Sequence, residues 1–396
     1  MMLHKILTRD FILCFLAQFV FNSSYYLLLP TLPIYLSRTG STEVEIGILI
    51  GALGISSLLL RPIVGRALLK IPEKKFMVWG AILFALTSAA YVFFPPFWPL
   101  FIVRIFQGIG LAFFFTAALI FIANITQESY RGQSIGYFFL SFNISMALLP
   151  PLGMFLVNHF SFTILFLVCM ALSSCSLLTV SKLRGSEVHL IGDSSIEDRS
   201  LFSLKTLPPT FINFLFHMIW GALTAFFPLY AINHGVTNPG LFFTAYAMVL
   251  IFARILGGRI LDVYGREKVI LPCLSAYIIS MTLLAFSKTL AMFILVAVIS
   301  AIGHAFLMPS LYAYTLDLAG PSRGPAIGLL TAMDDLGTGL GSILMGIILH
   351  LTSFRIMFLC LALIGLTSFI YFYFFVRKNL NKLRPISKEG FYNNPP

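Results

Sequence analysis

Two adjacent carboxylates, Asp334 and Asp335, stand in "TAMDDLGTGLGS", about ten residues inside a long apolar run, which on a helix is roughly 15 Å from its nearer end. Acids at such a depth are costly to bury, so they are functional candidates. Mutual repulsion and burial both favour a retained proton, and a carboxyl group poised in this way can trade protons with either side of a membrane. Arg104 and Gln107 in "RIFQGIGLA" and the lone histidines His304 and His217 share this apolar setting. A histidine can relay protons near neutral pH. Asn22, Asn143, Tyr25 and Tyr26 add neutral polar groups to candidate substrate contacts. No two of the seven histidines lie at helical ligand spacing, and the five cysteines form no CxxC pair, so neither a metal site nor a cofactor is expected. No nucleophile or acid/base pair stands in a catalytic arrangement, and an enzyme is not expected.

The elements that must carry these residues are set by composition. Hydrophobic residues make up 59% of the 396-residue chain and charged residues 10%, against about 25% charged in a soluble domain. Apolar stretches recur at about the length that crosses a bilayer as a helix. Twelve are expected, near 11–36, 45–66, 76–94, 99–123, 133–157, 162–181, 208–232, 240–261, 268–287, 290–315, 325–349 and 354–376. They are continuously apolar rather than alternating, which excludes a barrel. The first, preceded by "MMLHKILTRD", is too long for a cleaved leader and reads as a retained helix.

The net charge of +11 follows topology and does not point to nucleic acid. With the N-terminus inside, 20 Lys and Arg residues fall in inner segments and only Arg38, Lys288 and Arg355 in outer ones. That asymmetry places both termini in the cytoplasm, with the chain a multi-pass protein of the inner (plasma) membrane. Arg61 and Arg254, close to inner helix ends, read as residues that snorkel to the headgroups.

The chain is written twice. "RPIVGRALLKIPEKKFMV" (61–78) recurs as "RILGGRILDVYGREKVIL" (254–271), "RGQSIG" (131–136) as "RGPAIG" (323–328), and "LPIYLSRTGST" (32–42) as "FPLYAINHGVT" (227–237), at offsets of 192 to 195 residues. The expected organisation is a six-helix bundle over 1–180, a cytoplasmic linker over 181–207, a second bundle over 208–376 and a cytoplasmic tail over 377–396. A repeated bundle places its substrate site near the midplane between the repeats. By the repeat, Asp335 aligns with Asn143 and Asp334 with Phe142, which favours Asp335 as the cavity-facing acid. Glycines four apart (Gly47 and Gly51, Gly132 and Gly136, Gly324 and Gly328, Gly337 and Gly341) are expected to let helices approach closely.

Twelve helices in two halves, with a G-x-x-x-D-x-x-G-R turn between the second and third helices of a half, resemble the major facilitator superfamily. "RIFQGIGLA" is similar to that family's fourth-helix R-x-x-Q-G motif, and "MDDLGTGLGS" and "GHAFLMP" resemble its bacterial efflux permeases. The resemblance implies an all-α membrane protein of twelve transmembrane helices in two pseudo-symmetric halves. It also implies transport by alternating access, with proton-coupled efflux of a small organic molecule as the leading expectation. It gives Arg104 a part in proton transfer or substrate binding, although the first helix offers only Asn22 and the surface-proximal Asp10 beside it. It makes Asp262 a latch that engages a helix N-terminus of the opposite half, with Gly258, Gly265 and Arg266 shaping the turn and Arg131 as a partner. The first copy lacks that acid, having Leu69 and Pro72 where the second has Asp262 and Gly265. The family's fifth-helix antiporter signature survives only as "PPLG". Uptake of a sugar or organic acid by proton symport, or flipping of a lipid or amphiphile, remain open alternatives. The expected partners are a small-molecule substrate, protons and membrane lipids, with the chain monomeric.

Overall fold

The structure, a computed structural model, describes residues 7–95, 97–127, 130–184, 206–263, 266–319 and 323–376, except for the side chains of 254–267 and 323–325. Its frame is twelve long helices: α1 (Arg9–Arg38), α2 (Glu43–Ala67), α3 (Glu73–Phe93), α4 (Trp98–Ile125), α5 (Arg131–His159), α6 (Phe162–Ser181), α7 (Leu207–Asn233), α8 (Gly240–Val263), α9 (Arg266–Leu284), α10 (Leu290–Ala319), α11 (Arg323–Leu351) and α12 (Phe354–Tyr371), the last continued by a π turn at Phe372–Val376. Ten of them are long and apolar enough to cross a membrane, and the described parts of α8 and α9 are shorter apolar helices.

The repeat is visible in the punctuation between helices. Gly40 after α1 and Gly235 after α7 both take positive φ (89° and 78°), a conformation that glycine adopts without strain. Ser161 caps α6 by accepting from the Ile164 N–H, and Ser353 caps α12 by accepting from the Ile356 N–H. Each cap satisfies one of the orphan donors of a helix start. On α2, Thr42 and Glu45 form a reciprocal capping box.

The contacts of α1–α6 with α7–α12 that fix the site run from mid-helix to one end of the molecule, the end that carries the loops after α1 and α7. There α2 and α11 approach backbone to backbone at their glycines. A Cβ on Gly47 would meet the Ser342 carbonyl at 2.5 Å, and one on Gly51 the Gly339 carbonyl at 2.6 Å. On the pseudo-symmetric side α5 meets α8: Thr244 Oγ1 donates to the Ala147 carbonyl (2.6 Å), Asn238 Nδ2 to Pro151 (3.2 Å), and Asn158 Nδ2 to Thr237 (2.9 Å). At the rim, His350 Nδ1 of α11 lies 3.0 Å from Glu43 Oε2 of α2.

Among the described residues the opposite end is open. A Cβ on Gly65, Gly132, Gly136 or Gly328 would meet nothing within 4 Å. Of the glycine pairs expected to pack, Gly47 and Gly51 do so between the halves, and Gly337 and Gly341 do so against α7. Gly132, Gly136 and Gly328 instead face free space, and Gly324 lies outside the described side chains.

Candidate functional site

The closed interface between α2 and α11 ends at an ion pair. A Cβ on Gly54 would still touch the Asp335 carbonyl (2.9 Å). Two turns further along α2, Arg61 reaches across: its Nη2 donates to Asp335 Oδ1 at 3.1 Å and its Nε lies 2.7 Å from Oδ2. The Nε proton points to Ser57 Oγ (3.3 Å), so Oδ2 takes the guanidinium's charge without its hydrogen bond. Arg61 also sits over the Phe115 ring of α4, 5.1 Å from its centroid, a further contact that suits a partly desolvated guanidinium. Side-chain exposures of 19% for Arg61 and 13% for Asp335 leave the pair partly buried. The snorkelling reading of Arg61 is thereby corrected. A guanidinium a turn and a half from the end of its helix finds a carboxylate nearer than the headgroups, and the closely packed glycines of α2 bring that carboxylate within reach.

Asp334 turns the other way, as the 100° between neighbours on a helix requires. It accepts from Asn213 Nδ2 of α7 and from Tyr312 Oη of α10 (3.4 Å), with His217 Nδ1 also 3.4 Å away. His217 Nδ1 lies closer still to the Asn213 carbonyl, at 2.9 Å. The two acids therefore do different things. Asp335 joins the halves, while Asp334 ties α11 to α7 and α10.

The remaining candidates fall into separate clusters. Arg104, 4% exposed, donates to the Leu49 carbonyl (2.8 Å), the Ile50 carbonyl (3.3 Å) and Gln107 Oε1 (2.7 Å), which also accepts from Tyr91 Oη (2.8 Å). The acid missing from α1 is thus replaced by backbone carbonyls of α2, and Arg104 fastens α4 to α2. Arg104→Ala is expected to remove the charge-assisted hydrogen bonds that fasten α4 to α2 and to destabilise the protein by about 3 kcal/mol or more. Thermal denaturation of the solubilised protein checks this, with Arg104→Lys intermediate because a single ammonium cannot reach all three acceptors.

Asn22 accepts from Gln18 Nε2 (2.9 Å), and both side chains are buried. Asn143 is 6% exposed with its Nδ2 unpartnered. His304 Nδ1 shares a hydrogen bond with Tyr246 Oη (2.7 Å), which in turn meets Tyr277 Oη (2.7 Å), beside the rings of Phe216 and Trp220. Tyr25 and Tyr26 are half-buried and meet edge to face at 5.3 Å. Tyr25 also lines, with Arg104, Gly54 and Thr338, a cavity of about 30 Å3, enough for one or two waters. Arg104, His304 and Asp335, expected around one midplane site, thus stand in three clusters.

Of the latch residues, Asp262, Gly258, Gly265 and Arg266 lie outside the described residues or side chains. Arg131, at the start of α5 and at the open end, donates its Nε to the Ala123 carbonyl within its own half (2.9 Å). Among the described residues no group of three or more His, Cys, Asp and Glu side chains is placed to hold a metal ion.

Comparison with known proteins gives this architecture a family. The Major Facilitator Superfamily model matches residues 14–242 and 209–393. The staphylopine export protein of Staphylococcus aureus is 25% identical over 365 residues, covering 88% of this chain and 91% of that protein. Multidrug resistance protein 2 of Bacillus subtilis is 25% identical over 345 residues, covering 82% and 85%. Among solved structures, the nucleoside transporter NupG superposes with a TM-score of 0.72 over 92% of this chain and 99% of that one, at 17% identity. A twelve-helix frame built from a repeated half, ten helices fit to span a membrane, and a family model matched along nearly the whole chain lead to one assignment: this multi-pass membrane protein belongs to the Major Facilitator Superfamily of transporters.

Proposed function

We propose that the chain exports a small organic molecule across the plasma membrane in exchange for protons, with Asp335 as the proton-carrying group. The observation that carries this reading is the Arg61–Asp335 pair, a link between the two halves that one proton can undo. The relatives named for staphylopine export and multidrug resistance support the outward direction. The open end carries the loops rich in Lys and Arg, which the positive-inside rule assigns to the cytoplasm. On that orientation the conformation is inward-open.

The cycle follows from charge balance. In the inward-open state, ionised Asp335 exchanges its contact with Arg61 for one with the substrate. Rocking closes the cytoplasmic end and parts α2 from α11 at the other. A proton from the acidic outside then neutralises Asp335 and releases the substrate. The protonated carrier returns and loses its proton to the cytoplasm, where Arg61 favours the ionised acid. When the cytoplasmic end closes, Arg131 and the Asp262 turn meet as a latch in which the positive end of a helix dipole favours the acid.

The test compares medium and cytosol by untargeted mass spectrometry, from cells making wild-type protein or Asp335→Asn at matched levels. A compound enriched in the wild-type medium and not in that of the variant is the expected result. Gradient-driven export that survives the substitution would remove Asp335 from the proton role, and accumulation inside wild-type cells would reverse the direction.

A further inference from the structure

The site where the inter-half contact ends holds charges of both signs at contact distance, and this constrains what can bind there. Arg61 comes from α2 in the first half and Asp335 from α11 in the second, 2.7 Å apart. Asp334 adds a second carboxylate whose partners, Asn213, Tyr312 and His217, carry no fixed positive charge. A ligand that enters from the open end must displace the pair, and separating a partly buried pair strands whichever member finds no new partner. An organic cation would satisfy Asp335 and leave the guanidinium unmatched. An organic anion would do the reverse. A ligand with both an ammonium and a carboxylate on neighbouring atoms can serve both partners at once, with only a small widening of the gap between α2 and α11.

The surroundings say what the rest of the ligand is like. Phe115 lies beneath the guanidinium and is continued by Phe142 and Phe139 of α5, with ring centroids 5.3 Å and 6.5 Å from Phe115. All three rings are half-buried, so the first half offers an aromatic wall beside Arg61. We infer that the substrate is a zwitterion of the amino-carboxylate type with an apolar or aromatic body, its carboxylate on Arg61, its ammonium on Asp335 and its body against Phe115 and Phe142. This inference rests on the transport reading above and names the substrate class of the same site. It also assigns Arg61 as a binding residue.

The experiment uses one body with its charges altered singly. L-phenylalanine, its amide (cation only) and its N-acetyl derivative (anion only) are titrated calorimetrically into the full-length purified protein at neutral pH. The amino acid is expected to bind about tenfold or more tightly than either singly charged analogue, the effect of leaving one buried charge unmatched. Arg61→Gln is expected to abolish the advantage of the free carboxylate, so that the amide binds at least as well as the amino acid. Asp335→Asn is expected to abolish the advantage of the free ammonium, and Arg61→Lys, which keeps the charge, to preserve the wild-type order. A merely structural pair would not change charge preference in opposite senses in the two variants. Equal or tighter binding of the amide by the wild type, an order of preference unmoved by both substitutions, or binding of none of the three probes would overturn the assignment. A cation-preferring protein that still exports in exchange for protons loses the zwitterion and keeps the export reading. Retained zwitterion preference without gradient-driven export keeps the substrate class and removes the export reading.

Discussion

Gly51→Leu is expected to leave both halves folded and to drive the protein out of the conformation described above. A Cβ at this position would lie 2.6 Å from the Gly339 carbonyl and 2.8 Å from Ser342 Oγ, both on α11 across the interface. Turning a side chain cannot relieve the clash, because one wall is backbone. The halves can relieve it by parting at this end, and parting there is the motion that closes the other end. A bias of about 1.4 kcal/mol already shifts a two-state population tenfold, and overpacking of this kind costs about 1–3 kcal/mol or more. Labelling a thiol introduced by Gly328→Cys, where the open end leaves free space, is therefore expected to slow by about tenfold or more. The control is Gly341→Leu, whose Cβ would run into the Met218 carbonyl within the second half. There the α7–α11 contact belongs to the fold of one bundle, so loss of thermal stability is expected in place of a change in labelling. Equal labelling of Gly51→Leu and its parent would mean that the closed end does not open in the transport cycle.

The difference between those two glycines was not legible in the sequence, where both stand in a four-residue spacing. Periodicity reports that a helix face is small but not which helix it meets. The twelve helices were legible because apolar length is a local property, and every expected span falls within a few residues of a helix. The duplication was legible for a similar reason, down to Gly40 and Gly235 and the paired caps Ser161 and Ser353. Asp334 and Asp335 stood out because a charge inside an apolar run contrasts with its neighbours. Arg61 stood out less, being close enough to a helix end for the headgroups to serve as its partner. Its pairing with Asp335 spans 274 residues, and no local pattern records such a contact. One signal was available: Arg61, like Asp334 and Asp335, is a charge on a helix whose glycines stand four apart. Arg104 shows the converse limit. Its motif gave it a place in the family's chemistry, while the carbonyls that hold it are backbone atoms that carry no trace in a side-chain pattern.

Arg61→Leu and Asp335→Leu are each expected to destabilise the protein, and the two together to restore much of that loss while transport stays abolished. Removing one member leaves the other charge facing Ser57, Phe115 and the α2–α11 seam with no counter-ion. Breaking a fully buried pair in this way costs about 3–5 kcal/mol, whereas replacing both members with apolar groups of similar volume is often neutral. The exposures of 19% and 13% let some water reach the stranded charge, which reduces the expected loss for each single variant to about 2 kcal/mol or more. The double variant removes that penalty. Thermal unfolding in a fixed detergent, combined as a double-mutant cycle, gives the coupling energy directly. Proton-driven flux in vesicles reads the other half of the argument. A folded double variant that no longer transports would assign the pair to function, kept at a cost in stability that two leucines avoid. A double variant as unstable as the sum of its parts would mean that Arg61 and Asp335 act independently, and the link between the halves would have to lie elsewhere along α2 and α11.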